Sequence, residues 1–408
     1  MAKMFGKSNE SAQFMIWLAG VLFVLLQFFL QLSSGIIIGA IMSDLRLSAL
    51  MAGILGSSIY FVYTTFQIPV GILFDRQNTR TLLYLSAFIC SIGCLVFASS
   101  YTMTGLIIGR LLIGAGSAFA FVGYSHILRQ YFDIRRFAFM MGLSETLAFI
   151  ATVIGMISMG ELIAVYGWRQ FIYGTGVFGL IVTFLCWQFI PNSKSPTKDR
   201  PHYGLQLIHI IKNRQVWING IMVGLSFTVV TVFGALWSIP FIQVKFGCTL
   251  ALASILGAMF FLGAGVSCPL FGLLANYISR KFLILSSCLS TGCLLLVVIY
   301  APISSQIITG LLMFAIGCCC GAYMLAFSIS NELAPRNSLS TCTGFTNTLA
   351  MLTAPVFQTL IGYLLDISSK DHSYTVAGYQ FALIPIPAAM FLAGVLVIFI
   401  KERKKPAV

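Results

Sequence analysis

Long runs of uncharged, mostly apolar residues alternate with short polar segments along the whole chain. The run 47–74 holds no charged residue, and the run 282–331 is long enough for two helices. A membrane-spanning helix needs about 20 apolar residues, whereas strands of a membrane barrel alternate over about 10 residues. These runs are too long and too uniform for strands. The pattern predicts twelve spans, at about 14–42, 47–74, 81–100, 104–129, 137–160, 170–190, 216–244, 250–277, 282–300, 305–331, 340–365 and 376–400.

Composition agrees with a membrane protein. Of the 408 residues, 59% are hydrophobic and only 9% are charged, and the mean hydropathy is +0.96. A soluble domain carries roughly 25% charged residues, so the apolar runs are not the core of a large soluble protein. The expected fold class is an all-α polytopic membrane protein.

The basic residues lie mainly on one side of the predicted membrane. The formal net charge of +13 would suggest a nucleic-acid partner in a soluble protein. When successive loops are assigned to alternate sides, nineteen of the 24 Lys and Arg residues share the side of the two termini, and Arg110 lies inside a span. The positive-inside rule makes that side cytoplasmic. We therefore expect both termini in the cytoplasm and no nucleic acid as a partner.

Motifs for soluble chemistry are incomplete. The segment "FGKS" (5–8) has only the ending of a phosphate-binding loop, and no H-E-x-x-H motif occurs. Nearly all of the 11 cysteines fall inside predicted spans, without paired metal-ligand spacing. We expect no catalytic residue, metal or cofactor, and thus no enzyme.

The second half of the chain repeats the first after about 201 residues. In "GILFDRQNTR" (71–80) and "GLLANYISRK" (272–281), a glycine, a polar residue and a base recur at matched positions, and Glu145 aligns with Asn347. The duplication predicts two pseudo-symmetric six-helix bundles, residues 1–191 and 216–408, joined by a cytoplasmic linker at 192–215. Transporters built from parallel repeats place their site at the midplane between them.

Three segments carry a family resemblance that covers essentially the whole chain. The decapeptide 71–80 resembles the loop 2–3 signature of the major facilitator superfamily, with Asn78 where the signature has glycine. "GRLLIGAG" (109–116) resembles the fourth-helix motif of that family, and "YGWRQF" (166–171) resembles its sixth-helix entry. The resemblance implies the major facilitator fold. Segments 63–76 and 109–123 are similar to a bacterial branch related to the lysosomal dipeptide transporters, which implies peptides, amino acids or similar metabolites as the solute. We expect a bacterial inner membrane as the location.

The same decapeptides predict a cytoplasmic latch. Asp75 can pair with nearby arginines or face the positive end of a helix. The resemblance implies that this helix is span eleven of the other half. A solvated, positive-inside loop is the alternative. The latch candidates are Gly71, Asp75, Arg76, Arg80, Gly272, Asn276 and Arg280.

Polar residues inside the spans predict the transport path. The resemblance implies that spans one, four, seven and ten line a central cavity, and helical phase selects residues on shared faces of these and neighbouring spans. The candidates are Gln27, Gln31, Tyr60, Tyr63, Gln67, Arg110, Ser117, Tyr124, Thr228, Trp237, Tyr323 and Asn347.

Two ionisable residues inside spans have open interpretations. Arg110 costs about 2.5–3.5 kcal/mol to insert, so it needs water, a ligand or a partner. It could bind a substrate carboxylate, switch proton coupling, or pair structurally with glutamines of span one. Burial favours the neutral form of Glu145, which makes it a candidate proton carrier. A structural ion pair of Glu145 with arginines of 129–136 is the alternative.

The sequence favours a secondary transporter that moves a small polar or anionic organic solute by alternating access. An amino acid, a small peptide or a related metabolite is expected, in the uptake direction, with protons as a possible coupling ion and a monomer as the functional unit. An exporter of drugs or siderophores is the alternative. A non-transporting membrane sensor or scaffold is a third hypothesis, from another functional class.

Overall fold

The computed structural model describes residues 10–32, 34–132, 134–192, 203–334, 339–369 and 374–401, and this part of the chain is helical without a strand. The first six spans are Glu10–Leu32 with Ser34–Leu45, Ala49–Arg76, Thr79–Ser99, Met103–Tyr131, and two spans within Ile134–Phe189. The last six are Arg214–Phe246, Leu250–Leu274, Arg280–Tyr300, Gln306–Leu333, Leu339–Ser368, and Val376–Ala382 with Pro385–Ile398. A short helix, Tyr203–Lys212, precedes span seven.

Spans five and six meet at Gly167. This residue has a φ of 81°, and the helical conformation is interrupted there. Eleven helices in the described chain are long and apolar enough to cross a membrane, and span five contributes the shorter apolar helix Leu143–Met159. Together these agree with the twelve predicted spans.

The two sides of the helical array can be told apart by their loops. We call the side where span six ends and span seven begins the linker face. The backbone N–H of Lys401 donates to Gln215 Oε1 (2.7 Å), so the end of span twelve lies on this face too. We call the opposite side, which carries Arg46 and Gly247, the far face.

Polar caps define where several spans begin. Ser48, Thr102 and Thr249 each accept a hydrogen bond from a backbone N–H in the first turn of the following helix. Asn78 does the same for span three, since its Oδ1 accepts from the backbone N–H of Arg80 (3.0 Å). The asparagine in the glycine position of the family signature is thus a helix cap, which satisfies a donor that has no partner within the helix.

Span seven contains a π-helical segment, Val229–Trp237, between two α-helical parts. The Gln358 amide of span eleven donates through Nε2 to the carbonyl oxygen of Thr231 (2.7 Å) in this segment. Irregular turns of this kind leave carbonyl groups available to neighbouring helices. Here that group joins spans seven and eleven.

Contacts between the two halves use the pairs two–eleven and five–eight. A Cβ atom on Gly344 would lie 2.7 Å from the carbonyl oxygen of Gln67, so these backbones touch near the linker face. Thr146 of span five donates through Oγ1 to the carbonyl oxygen of Gly265 in span eight (3.1 Å). Towards the far face, a Cβ atom on Gly35 of span one would lie 2.9 Å from two carbonyl oxygens of span seven.

The glycines of span four allow close packing inside the first half. A Cβ atom on Gly114 would overlap the carbonyl oxygen of Ile59 in span two, and one on Gly116 would overlap that of Ser86 in span three. Small residues of this kind let membrane helices approach until their backbones touch. The "GRLLIGAG" segment therefore has a packing role.

We expect Gly114→Ala to destabilise the protein, because the added methyl group meets a backbone atom of span two that cannot rotate away. Overpacking of this kind costs about 1–3 kcal/mol. The measurement is the thermal unfolding midpoint of the purified protein in detergent. Gly174→Ala is the control, since a Cβ atom there has no neighbour within 4 Å. Equal midpoints for the two variants would contradict this packing role.

Candidate functional site

A small cavity lies between the two halves and is lined by residues of both. Its volume, measured as the space open to the centre of a water molecule, is about 20 Å³, which is room for one or two waters. Spans one, two, four, five, seven, ten and eleven contribute to it. Its lining residues are Gln27, Phe28, Tyr63, Phe121, Glu145, Val223, Phe227, Tyr323, Met324, Phe327, Asn347, Ala350 and Met351.

A larger crevice, of about 510 Å³, lies within the first half between spans one, five and six. Several of its side chains, including Tyr166 and Phe178, are exposed on the outside of the molecule. No charged side chain is among the described residues that line it. A transport path must lie between the halves, so the smaller cavity is the candidate site.

A polar network in the cavity joins the two halves. Asn347 of span eleven donates through Nδ2 to the Tyr63 hydroxyl (3.2 Å) and to Gln67 Oε1 (3.0 Å), both of span two. The Gln67 amide in turn donates to the carbonyl oxygen of Ala118 in span four (3.2 Å). Each of these bonds is buried, so the network links span eleven to the first half at the wall of the cavity.

Two buried oxygen atoms of the lining have no hydrogen-bond partner in the described structure. Gln27 donates through Nε2 to Gln31 Oε1 (2.9 Å), but its own Oε1 accepts nothing. Oε2 of Glu145 is also without a partner, and this residue is 2% exposed. Buried polar atoms usually find a partner, and those that do not often mark functional sites.

Glu145 forms no salt bridge with any side chain that the structure describes. The side chains of Arg135 and Arg136 lie outside the described part, so the ion-pair interpretation with that loop is not tested for them. Glu145 is one of the residues that line the cavity, together with Tyr63 and Tyr323.

Of the twelve path candidates, the described lining includes Gln27, Tyr63, Tyr323 and Asn347. Gln31 and Gln67 lie one hydrogen bond away from it. The others, which are not among the lining residues, are Tyr60, Arg110, Ser117, Tyr124, Thr228 and Trp237.

Several of these outer candidates bond within their own half. Thr228 and Ser117 donate to carbonyl oxygens of the preceding turn of their own helices. The Tyr124 hydroxyl accepts from the Trp17 indole (3.1 Å) and donates to the carbonyl oxygen of Met140 (3.1 Å), which ties spans one, four and five together. Tyr60 and Trp237 are buried, and in the described structure neither the Tyr60 hydroxyl nor the Trp237 indole N–H has a hydrogen-bond partner.

Arg110 lies against span two and not in the cavity. It is 1% exposed, donates through Nε to the carbonyl oxygen of Leu55 (3.3 Å), and donates through Nη2 to that of Gly56 (3.3 Å). Its guanidinium also lies 5.8 Å from the centre of the Phe97 ring. The described hydrogen bonds of Arg110 therefore go to backbone carbonyls of span two.

Two phenylalanines of the lining, Phe227 and Phe327, were missed by the sequence analysis. Phe121 and Phe327 meet across the halves with ring centres 5.7 Å apart, and the ring centre of Phe227 lies 4.5 Å from that of Tyr323. Nothing in the pattern separated Phe227 and Phe327 from lipid-facing phenylalanines. Phe121 is different, because helical phase places it on the same face of span four as Ser117 and Tyr124.

The latch candidates have mixed placements. The side chains of Asp75 and Arg76 lie outside the described part of the structure. Gly71 is buried in span two, whereas Gly272 has no neighbour within 4 Å of its Cβ position and Asn276 is exposed.

The two other latch bases bond within their own halves. Arg80 of span three lies 5.3 Å from the centre of the Trp187 ring in span six. Arg280 of span nine pairs with Glu332 of span ten (2.8 Å) and donates to Ser328 Oγ (3.1 Å). The described contacts of Arg280 therefore stabilise the second half and do not bridge to the first.

A clasp between the halves lies on the far face, where none was predicted. Asp366 of span eleven accepts from the backbone N–H of Leu50 (2.9 Å, Oδ2) and of Ala49 (3.2 Å, Oδ1), at the start of span two. The Tyr374 hydroxyl donates to Asp366 Oδ1 (2.8 Å) and accepts from the N–H of Ala49 (2.8 Å). A carboxylate at a helix N-terminus satisfies free donors and opposes the positive end of the dipole. We call these four residues the far-face clasp.

The phenol of the far-face clasp remains a donor at physiological pH. Partial burial, together with the hydrogen bond to the Asp366 carboxylate, raises the pKa of Tyr374 to about 12. A raised pKa means that the protonated form contributes its stabilisation up to about pH 10 and loses it only as the pH rises towards 12.

Comparison with protein families gives one broad match. The family model described as "Major Facilitator Superfamily" matches residues 16–358. The "Uncharacterized transporter YybO" of Bacillus subtilis (strain 168) is 26% identical over 391 residues, which cover 88% of this chain and 89% of that protein. A "Probable L-galactonate transporter" of Escherichia coli (strain K12) is 22% identical over 83% of this chain and 79% of its own length.

Comparison with solved structures supports the fold. A bacterial homologue of the human lysosomal transporter Spinster, in an inward-facing and occupied conformation, superposes with a TM-score of 0.75 over 97% of both chains. Sequence identity to it is 14%, so this likeness bears on the fold alone. The twelve-helix major facilitator fold predicted from the sequence is confirmed, and the relatives are transporters and not enzymes.

We expect Arg110→Lys to destabilise the folded protein, because an ammonium group cannot reproduce two hydrogen bonds from one planar fork. Loss of a hydrogen bond from a charged group costs about 1.5–3 kcal/mol. The thermal midpoint of the purified variant measures this, with Arg80→Lys as the control for an arginine outside this contact. A normal midpoint combined with lost solute binding would instead support a ligand role for Arg110.

Asp366→Asn is expected to open the far face more often, since the neutral amide loses the charge that faces the span-two terminus. Ser57→Cys is a suitable reporter, because Ser57 Oγ accepts from Thr359 Oγ1 (3.3 Å) between spans two and eleven. We expect its alkylation rate, read by mass spectrometry of that peptide, to rise several-fold.

Asp44→Asn is the matched control for this experiment. It removes a carboxylate on the same face that pairs with Arg169 (2.8 Å) inside the first half. Equal labelling rates in the two variants would show that the far-face clasp does not hold the halves together.

Proposed function

Because the chain belongs to the Major Facilitator Superfamily, we propose that it is a proton-coupled secondary transporter that moves a small polar organic solute through the cavity between its halves. The observation that carries this proposal is the buried Glu145 carboxyl group, which lines that cavity with an unpartnered oxygen. A bacterial inner membrane is part of the proposal, and the loop charges favour a topology with both termini in the cytoplasm.

Alternating access has a physical basis in contacts on both sides of the cavity. On the far face, the Asp366 carboxylate and the backbone contact of Gly35 with span seven hold the halves together. Towards the linker face, Phe121 packs against Phe327. Opening the far face requires breaking only the far-face contacts, and opening the linker face requires breaking only the contact of Phe121 with Phe327. In this proposal, a few kcal/mol of differential solute binding can overcome either group of contacts.

Glu145 is proposed as the proton carrier. It is the one carboxyl group among the described lining residues. Its duplicate, Asn347, cannot titrate and is already hydrogen bonded to Tyr63 and Gln67. A single acid in the cavity supports a coupling of one proton per transport cycle.

Other parts of the sequence interpretation stay predictions. The bundle limits 1–191 and 216–408 with the linker 192–215, the latch at Asp75, and a monomeric state are among them. So are the uptake direction and an amino-acid or peptide solute. A relative named for L-galactonate suggests sugar acids as a further class to test.

An exporter of drugs or siderophores is the second candidate. The observation that favours it is the aromatic and sulfur-rich part of the lining, where Phe28, Phe121 and Met324 accompany the polar groups. Apolar lining of this kind accepts amphipathic solutes with little demand for matched hydrogen bonds.

The test begins with the purified protein and a thermal-shift panel of L-galactonate, D-glucarate, L-phenylalanine, a dipeptide and 2-phenylethylamine. Compounds that bind are then followed in proteoliposomes with and without an imposed pH gradient. We expect gradient-driven movement in the wild type. The direction of net movement decides between uptake and export.

In the same assay, Glu145→Gln is expected to lose gradient-driven accumulation and to keep equilibrium exchange at saturating solute concentration, because an amide can fill the space but cannot release a proton. Asp44→Asn should behave as the wild type. Gradient-driven accumulation by Glu145→Gln would exclude this residue as the carrier, and absence of flux for every compound that binds would refute the transport proposal.

A further inference from the structure

We propose that the solute is a small amphipathic organic cation with N–H donors, a primary or secondary ammonium compound, which binds against Glu145 when the halves part and the cavity widens beyond its present room for one or two waters. The inference rests on the proposed transport through the same cavity and specifies its substrate class. It departs from the polar or anionic solute expected from the sequence.

Charge is the first argument. Glu145 is the only residue with a formally charged side chain among the described lining residues, which include no Lys, Arg or His. Arg110, the basic residue on which an anionic solute was expected to depend, bonds to backbone carbonyls of span two. An anion in this cavity would lose its hydration and meet only a carboxyl group, whereas a cation would gain a counter-charge from the ionised form of Glu145.

Hydrogen-bonding capacity points the same way. The two lining atoms without a partner, Gln27 Oε1 and Glu145 Oε2, are oxygens that can accept. The amide donors are engaged, because Gln27 Nε2 bonds to Gln31 and Asn347 Nδ2 bonds to Tyr63 and Gln67. A solute that completes this cavity therefore brings hydrogen-bond donors, and an ammonium group carries both the donors and the charge.

The remaining wall suits the organic part of such a cation. Phe28, Phe121, Phe227 and Phe327 surround the polar groups, together with the sulfur atoms of Met324 and Met351. The faces of aromatic rings attract cations, and their area covers an apolar body. Because the lining contains one carboxyl group, a single positive charge is the match.

The test is a binding series with one aromatic body and different charges. Isothermal titration of the purified full chain compares 2-phenylethylammonium, its N,N,N-trimethyl derivative, 2-phenylethanol and phenylacetate. We expect 2-phenylethylammonium to bind at least tenfold more tightly than the alcohol or the anion. The trimethyl derivative keeps the charge but has no N–H donor, and we expect it to bind more weakly than the primary ammonium.

Glu145→Gln should weaken 2-phenylethylammonium at least tenfold and change 2-phenylethanol little, and Asp44→Asn should change neither. Preference for phenylacetate, equal binding of all four compounds, unchanged ammonium binding in Glu145→Gln, or no ammonium binding at millimolar concentration would each overturn the assignment.

The outcomes separate this inference from the transport proposal. Gradient-driven flux of phenylacetate or L-galactonate would leave the transporter standing and remove the cation class. Tight, Glu145-dependent binding of 2-phenylethylammonium without flux in proteoliposomes would keep the cation class and remove transport.

Discussion

Direct backbone contact between spans two and eleven is the constraint on which the rest of the arrangement depends. Glycines permit it along the whole length of the pair. A Cβ atom on Gly362 would lie 2.6 Å from the carbonyl oxygen of Ala49, and one on Gly53 would lie 2.8 Å from that of Gln358. At this separation the side chains between the helices have few possible positions. The Asn347 amide therefore reaches Tyr63 and Gln67, and Asp366 reaches the first turn of span two.

The same contact explains why the cavity lies beside this pair and is small. Spans two and eleven exclude solute along their common line, so the remaining space lies beside this pair, where spans one, four, five, seven and ten also contribute side chains. Gln27, Phe121, Glu145, Phe227 and Tyr323 come from these five spans. Widening the cavity requires the halves to part at one face, and the far-face clasp and the phenylalanine pair then act as opposing contacts across a common pivot.

A residue of the cavity could be predicted from the sequence mainly where its side chain was polar within an otherwise apolar span. Gln27, Tyr63 and Asn347 were found because a polar group inside a membrane span needs a partner. Phe227 and Phe327 were missed, because an apolar residue in an apolar helix looks the same in lipid, in the core or in a cavity. The hydrogen-bond partners of Arg110 could not be predicted either. They are backbone carbonyl groups, which every residue has.

The far-face clasp shows a second limit. The hydrogen bond from Leu50 to Asp366 joins residues 316 positions apart, on spans whose pairing no local pattern specifies. The family resemblance did imply that a helix terminus of one half would meet a charge of the other. It could not indicate which face would carry the contact, because a parallel repeat presents matching termini on both faces.

Divergence of the duplicated positions explains how one cavity can serve both structure and chemistry. Asn347 is fully engaged with the first half, and an ionisable carboxyl group there would change its hydrogen bonds whenever it gained or lost a proton. Glu145 has an oxygen without a partner, so protonation or a cation can act on it without breaking a contact between the halves. The residue that holds the helices together, Asn347, suits this role because it is neutral. The residue proposed to bind a proton or a cation, Glu145, suits its role because one of its oxygens has no hydrogen-bond partner. The two halves therefore keep the same fold while their corresponding residues take opposite roles.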